Sequence, residues 1–321
     1  MTPAYSYLRL SVTDACNLDC FYCRPSLRPR VLKNKERLTR EELLFLADAL
    51  CLRGIKHIRL TGGEPLLWKD LFWLAEELSA KKIPLLSLTT NGLSLSDFAK
   101  RLGASGVGRI NISLDTLKRG RFKKLTGTDG LSRVLEGISA ARAAGVFELK
   151  LNVLLFKGVN DDEILDFVAF GLTHSVDVRF IEYFATKSPC DRTPSGFVAT
   201  SAVKETIEQQ YGSLDFMGSD PQGGPAQYYR IKETADEGAG RIGFISSVTD
   251  FFCRACNRLR LTCDGKLFVC LHSDYHLDLE SALRTRDDQR LAKLLDEAFA
   301  NKKFYNKAMC ARAFEMSSVG G

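Results

Sequence analysis

Six short apolar and β-branched runs, each followed by an amphipathic stretch, restrict the fold of this chain more than any other feature. The strand candidates are Leu8–Thr13, His57–Thr61, Leu85–Thr90, Arg109–Leu114, Leu149–Phe156 and Val176–Tyr183. Helical periodicity fills the gaps near residues 39–53, 69–82, 94–103, 131–145 and 161–173. Thr39-Arg40-Glu41-Glu42 forms a capping box before the first of these. Gly54, Gly145 and Gly171 fall where helices would end. Strands alternating with helices predict a parallel α/β sheet with right-handed crossovers. Six βα units are two short of the closed eight-stranded barrel. Periodicity leaves two forms open: a curved, incomplete barrel with a lateral opening, and a flat doubly wound sheet.

The texture changes after about residue 212. Residues 218–225 and 235–240 are rich in Gly, Pro, Asp and Ser and read as loops, and a further helix is expected near 287–302. Two regions are therefore predicted, 1–215 and 216–321. The 321 residues can bury a large core. They contain no apolar run of membrane-spanning length. Met1-Thr2-Pro3-Ala4-Tyr5 does not begin a signal peptide, which points to the cytoplasm. The net charge of +6 is compatible with an anionic substrate. No stripe of interleaved basic and aromatic residues suggests nucleic acid.

Ten cysteines in a chain of this size do not resemble the disulfide framework of a small secreted domain. Six of them form two triplets. Cys16, Cys20 and Cys23 follow the first strand; Cys253, Cys256 and Cys270 lie near the C-terminus. Cys51 falls in an apolar helical stretch and reads as a buried hydrophobe, while Cys190, Cys263 and Cys310 receive no role. Each triplet has three thiolates where a closed zinc site takes four ligands. Closely spaced thiolates also suit iron–sulfur clusters. A zinc knuckle is the plain alternative for the first triplet, but the next cysteine or histidine is as far away as Cys51.

Cys16-x3-Cys20-x2-Cys23, with Tyr22 before the last cysteine, resembles the signature of the radical S-adenosylmethionine superfamily. The resemblance implies that the three cysteines hold a [4Fe–4S] cluster. The methionyl amino and carboxylate groups of S-adenosylmethionine would chelate its open iron, and one electron would cleave the sulfonium to a 5′-deoxyadenosyl radical. Thr61-Gly62-Gly63-Glu64-Pro65 ends the second strand. Its glycines allow close backbone approach, and its carboxylate can accept from an ammonium. It resembles the superfamily's loop for the methionyl amino group. Thr89-Thr90-Asn91-Gly92 and Ile112-Ser113-Leu114-Asp115 also end strands, where α/β folds carry their sites. Helix capping is the bland alternative for each.

At the second triplet, Asp264-Gly265 signals a two-residue hairpin turn that would pair Cys263 with Lys266 and Leu259 with Cys270. Cys270 then returns beside Cys256. Arg258 and Arg260, two apart on one strand, share a face beside the thiolates and suit bidentate phosphate binding. A solvated strand face is the alternative.

The run Cys253-x2-Cys256-Asn257-Arg258-Leu259-Arg260, continuing through Asp264-Gly265-Lys266-Leu267 to Cys270, resembles the C-terminal cluster motif of the GTP 3′,8-cyclase family of molybdenum-cofactor biosynthesis. So do Leu8–Asp14, Arg59–Pro65, Ser113–Asp115, Lys150–Val153, Arg179–Glu182 and the terminal Met316–Gly321. The resemblance spans residues 8–321. It implies an incomplete (β/α)6 TIM-like barrel with a C-terminal iron–sulfur cluster domain, and conversion of GTP to 3′,8-cyclo-7,8-dihydro-GTP.

Carried over by position, the resemblance gives each residue a role. Cys16, Cys20 and Cys23 hold the catalytic cluster, and Cys253, Cys256 and Cys270 a second [4Fe–4S] cluster that meets the guanine. Tyr22, Gly62, Gly63, Glu64, Ser113, Arg179 and Phe184 serve S-adenosylmethionine. Arg9, Arg59, Thr90, Lys150, Arg258 and Arg260 hold GTP, which carries about four negative charges near neutral pH. Arg258 and Arg260 also count among the catalytic residues. A low-potential electron donor, a homodimer, and product transfer to a cyclic pyranopterin monophosphate synthase are further implications. In the family the Gly320-Gly321 tail reaches into the active site.

Four positions depart from the family pattern. Ala15 replaces an arginine, His57 a phosphate-holding lysine, Trp68 a basic residue, and Phe184 a methionine near S-adenosylmethionine. Three competing readings follow: a peptide-maturing radical enzyme with an auxiliary cluster, a non-catalytic metal module, and a paralogue that binds nucleotide without cyclising it.

Overall fold

The computed structural model describes residues 5–23, 32–145, 148–183, 197–220, 224–232, 240–250, 256–271, 273 and 275–302. Cys190, Cys253, Cys310, Phe184, the Gly320-Gly321 tail and residues 221–223 and 235–239 of the expected loops lie outside them.

Six parallel strands stand in sequence order: β1 Tyr7–Ser11, β2 His57–Thr61, β3 Leu85–Thr90, β4 Arg109–Ser113, β5 Glu148–Leu155 and β6 Asp177–Glu182. The later chain extends this sheet at both edges. On one side β10 (Arg258–Leu261) pairs parallel with β1, followed by β11 (Lys266–Phe268) and β12 (His276–Asp278). On the other, β9 (Ile242–Ile245) pairs parallel with β6, followed by β8 (Gln227–Ile231) and β7 (Leu214–Ser219). The described strands make one open sheet of 12. The choice falls on the curled, incomplete barrel, and the sheet runs unbroken past residue 215.

Helices α1 (Arg40–Cys51), α2 (Leu71–Ala80), α3 (Leu95–Ala104), α4 (Arg119–Thr126), α5 (Leu131–Ala143) and α6 (Ile164–His174) form the crossovers. The capping box is in place: the Thr39 side chain accepts from the Glu42 amide, and the Glu42 carboxylate from the Thr39 amide at 2.7 Å. Helices α7 (Thr200–Tyr211), α8 (Glu280–Arg284) and α9 (Asp288–Lys302) follow. The periodic pattern missed α4 and α7; α4 has four lysines and arginines in its first six residues, which leaves few apolar positions to mark it. Gly54 and Gly145 take positive φ after their helices, as expected. Gly171 does not end α6. It lies inside the helix, where a Cβ would stand 2.7 Å from the Val178 side chain. Ser175 ends the helix instead, at φ 49°. Cys51 is half-buried rather than buried, because it occupies the last turn of α1.

Even-numbered residues of the first strands, among them Leu8, Leu10, Ile58, Leu60, Leu86, Leu88, Ile110 and Ile112, point outward and pack beneath the helices. The alternate residues, odd-numbered on β1–β4 and β6 and even-numbered on β5, turn into the lumen, as the two-residue period of a strand requires. Many of these are polar: Arg9, Arg59, Ser87, Arg109, Asn111, Lys150 and Arg179, all buried. Among the described residues, no helix is long and apolar enough to cross a membrane.

Candidate active site

A cavity of about 270 Å³ fills the lumen at the C-terminal ends of the strands. Cys16, Cys20, Tyr22 and Cys23 line it from the loop after β1; Arg9, Arg59, Arg258 and Arg260 line it from β1, β2 and β10. Gly62, Gly63, Thr89, Thr90, Asn91, Ser113, Asp115 and Asn152 lie between. The first triplet and the arginine pair of the second thus face one space.

The loop Gly62-Gly63 closes against the cysteine loop. The Gly63 amide donates to Thr13 O at 2.7 Å and the Glu64 amide to Ala15 O at 2.8 Å. A Cβ on Gly62 would lie 2.3 Å from Thr13 O, and one on Gly63 2.2 Å from Ala15 O. Both glycines line the cavity, but the close approach that requires them is to the cysteine loop itself. Ala15 makes its contact through its carbonyl, so the missing arginine side chain leaves this junction intact.

Glu64 is buried and accepts three hydrogen bonds, from Leu66 N at 3.1 Å, Thr90 Oγ1 at 2.8 Å and Asn91 N at 2.7 Å. It ties the end of β3 to the loop after β2 and is not among the cavity-lining residues. Burial outweighs these donors and raises its carboxyl to about 7. Asn91 in turn reaches Asn17 Oδ1 at 2.7 Å and Cys16 Sγ at 3.9 Å.

Asp115, after β4, is the residue that motif reading undervalued. Its Oδ2 accepts from the Tyr22 hydroxyl at 2.6 Å and its Oδ1 from the Leu154 amide at 2.8 Å. It therefore pins the cysteine loop to β5. Burial raises its carboxyl to about 6. Its only sequence signal was an acidic residue at a strand end.

Cys20 has its thiol raised by burial first, then by repulsion from Cys23, Asp115 and Cys16. Thiols close enough to oppose one another's ionisation form a donor set that a cationic cluster would relieve. Among the described residues no three such side chains converge on a single ion. A [4Fe–4S] cluster takes one thiolate per iron and does not demand that convergence. The residues of the first triplet fit the cluster.

At the other triplet the hairpin differs from the expected two-residue turn. Arg260 pairs with Phe268, Leu261 with Leu267, and the Thr262 amide donates to Lys266 O at 3.0 Å. The loop thus has three residues, with Gly265 at φ 93°, the form in which a left-handed glycine completes the turn. This register, continued, sets Cys270 opposite Arg258. Burial opposes ionisation of Cys256, but Arg258 and Lys302 prevail and lower its thiol to about 6. Lys302 Nζ lies 3.4 Å from its sulfur.

Among the described residues, no carboxylate pairs with Arg9, Arg59 or Arg179. Each keeps a buried Nε without a hydrogen-bond partner. Burial, with repulsion from Arg9, Arg179 and Arg109 only partly offset by Tyr7, lowers Arg59 to about 9. Burial, with repulsion from Arg9 and Arg258, lowers Arg260 strongly. A cationic zone held against that cost is built for an anion. His57 is buried, bonded through Nε2 to Ser87 Oγ at 2.7 Å and stacked on Tyr7 at 3.9 Å. Trp68 packs on the core instead of facing the cavity. Arg179 hydrogen-bonds Asn111 and, like Lys150, lies below the lining residues.

Comparison with known proteins agrees with this geometry. The Radical SAM superfamily model matches residues 10–171, and the Molybdenum Cofactor Synthesis C model matches residues 176–308. The GTP 3′,8-cyclase of Peptoclostridium acidaminophilum is 44% identical over 91% of this chain and 88% of its own. That of Rhizobium etli (strain CIAT 652) is 40% identical over 99% and 92%. The crystal structure of Streptococcus suis SuiB bound to S-adenosylmethionine shares the fold at TM-score 0.67 and 14% identity, over 94% of this chain and 69% of that one. The radical SAM superfamily carries with it S-adenosylmethionine and one [4Fe–4S] cluster. By its lumen, its cysteine loop and its full-length relatives, the chain belongs to the GTP 3′,8-cyclase family of the radical SAM superfamily.

Proposed function

We propose that this chain converts GTP to 3′,8-cyclo-7,8-dihydro-GTP, the first step of molybdenum-cofactor biosynthesis. The observation that carries the reading is a single cavity with cluster-type thiols at one end and four arginines at the other, of which Arg9 and Arg59 meet no carboxylate among the described residues. Cys16, Cys20 and Cys23 would hold the cluster, which when bound supplies the electron that cleaves S-adenosylmethionine. Tyr22, Gly62, Gly63 and Ser113 would contact that cofactor, with Phe184 beside it; Glu64 contributes by fixing Thr90 and Asn91. Arg9, Arg59, Thr90, Arg258 and Arg260 hold the nucleotide, and Arg179 adds its charge from below. Lys150 adds to the triphosphate site only as far as its carboxylate partners leave it charge to give. Catalysis is then largely orientation, because a radical must meet one C–H bond and no other. Removal of that C–H bond from water is the second contribution of the lumen.

A second [4Fe–4S] cluster on Cys253, Cys256 and Cys270 belongs to the proposal. The lowered thiol of Cys256 and the register of Cys270 support it. A low-potential electron donor, a homodimer, a cytoplasmic location and product transfer to cyclic pyranopterin monophosphate synthase complete it. Anaerobic reconstitution followed by incubation with S-adenosylmethionine, reductant and GTP tests the whole. About eight irons per chain and GTP-dependent 5′-deoxyadenosine with a cyclised product are expected. Zinc without iron, or cleavage without a GTP-derived product, would sink it.

A further inference from the structure

The second triplet has a cation that the nucleotide reading does not use. Lys302 ends α9, yet its side chain turns inward and the residue is only 8% exposed. Its Nζ donates to the carbonyl of Val269 and lies 3.4 Å from the sulfur of Cys256. Val269 immediately precedes Cys270. One ammonium therefore ties the segment of Cys256 to the segment of Cys270. Tyr5 stands alongside, its ring centroid 6.0 Å from Nζ and its edge set against Phe299 at 5.7 Å. Among the described residues no ion pair joins Lys302 to a carboxylate, which leaves the Cys256 sulfur as the anion it faces.

A buried ammonium is costly unless something answers its charge. Arg258 is the other cation at Cys256, but it lines the cavity, where a nucleotide can reach it. Lys302 is not among the lining residues, so its charge serves the sulfur and not the phosphates. We propose that Lys302 is a positioning residue for the second cluster, whose charged N–H on the Cys256 sulfur sets that cluster's reduction potential. The inference rests on the second-cluster reading above. Cluster potentials follow net charge and the hydrogen bonds made to the sulfurs. Reduction adds one electron to a site already made anionic by its thiolates. A fixed ammonium beside one of those sulfurs favours the more negative state, so Lys302 raises the potential.

The test is a reductive titration with dithionite of the anaerobically reconstituted full chain, followed by electron paramagnetic resonance. The signal that S-adenosylmethionine leaves unchanged belongs to the second cluster; the signal it perturbs is the internal control. Lys302→Met should lower the reduced-to-oxidised ratio of the second cluster about tenfold at a fixed potential, a midpoint lower by about 59 mV. Lys302→Arg keeps a charged donor and should stay within about threefold of wild type. Lys302→Gln keeps a donor for Val269 without the charge and should follow Lys302→Met, which keeps the test open if Lys302→Met loses the cluster. An unmoved ratio in a neutral variant that holds about eight irons overturns the proposal. So does an equal shift of both clusters, or loss of the second cluster in both neutral variants, since either makes Lys302 merely structural. A wild type that takes up only about four irons refutes the second-cluster reading and this inference with it; about eight irons with an unmoved ratio refutes the inference alone.

Discussion

Gly63→Ala tests the junction between the glycine loop and the cysteine loop. The new Cβ would lie 2.2 Å from Ala15 O, 2.6 Å from Ala15 C and 2.8 Å from Asp14 O. All are backbone atoms, so no side chain can rotate away. Ordinary contact requires the loops to part by about 1 Å. The hydrogen bonds from Gly63 N to Thr13 O, now 2.7 Å, and from Glu64 N to Ala15 O, now 2.8 Å, would then exceed bonding distance. Leaving two such donors unsatisfied costs about 2–6 kcal/mol, a large part of a stability of about 5–15 kcal/mol. Either the fold weakens, with the melting temperature lower by about 5–10 °C, or the cysteine loop yields and iron is lost. Reconstituted iron content and a thermal melt distinguish these outcomes. Gly120→Ala in α4 is the control. Its Cβ meets nothing within 4 Å, so it should leave both readouts intact or stabilise the helix by about 0.5–1 kcal/mol. A Gly63→Ala protein with full iron and an unshifted melt would refute the reasoning.

Glu64, raised from 4.5 to about 7 in the fold, contributes its full stability below its unfolded value and loses it as pH rises through 7, by about 3 kcal/mol. Glu64→Gln should therefore flatten the fall in melting temperature between pH 5 and 8; parallel profiles for variant and wild type would contradict this. Arg260 is buried among Arg9 and Arg258, so Arg260→Met should raise the melting temperature of the nucleotide-free protein while weakening GTP binding at least about tenfold. Both quantities falling together would show that Arg260 is structural. Cys270→Ala should lower iron from about eight to about four per chain, keep uncoupled cleavage of S-adenosylmethionine, and abolish the cyclised product; retained product would remove the second cluster from substrate binding.

Local chemistry made much of the architecture legible. The runs at 57–61 and 85–90 match β2 and β3 residue for residue, because β-branched and leucine-rich segments bounded by turns leave little choice of boundary. Capping at Thr39–Glu42 was equally plain. α7 was not, since Thr200–Tyr211 buries only Thr200, Val203 and Ile207. The hairpin at Asp264-Gly265 was visible, but its loop length was not: Asp-Gly suits a two-residue turn and the left-handed end of a longer one. Cysteine spacing, the Gly-Gly-Glu-Pro loop and the arginine pair pointed to the site. The roles of Glu64 and Asp115 as internal ties did not show, because a carboxylate at a strand end looks the same whether it faces a ligand or a neighbouring loop.

By itself the sequence determined the six central strands and most of the helices between them, their parallel order and the chemical character of both ends of the lumen. These follow from residue type and spacing along the chain. Only the tertiary structure decided that β9 and β10 extend the two edges of one sheet, that Arg258 and Arg260 face the same cavity as Cys16, Cys20 and Cys23, and that Asp220 comes to rest against Lys150. Such pairings join residues 64 to more than 240 positions apart. No local propensity encodes them; they arise when the curled sheet turns its polar faces inward and charges with no access to water must find partners or wait for an anion.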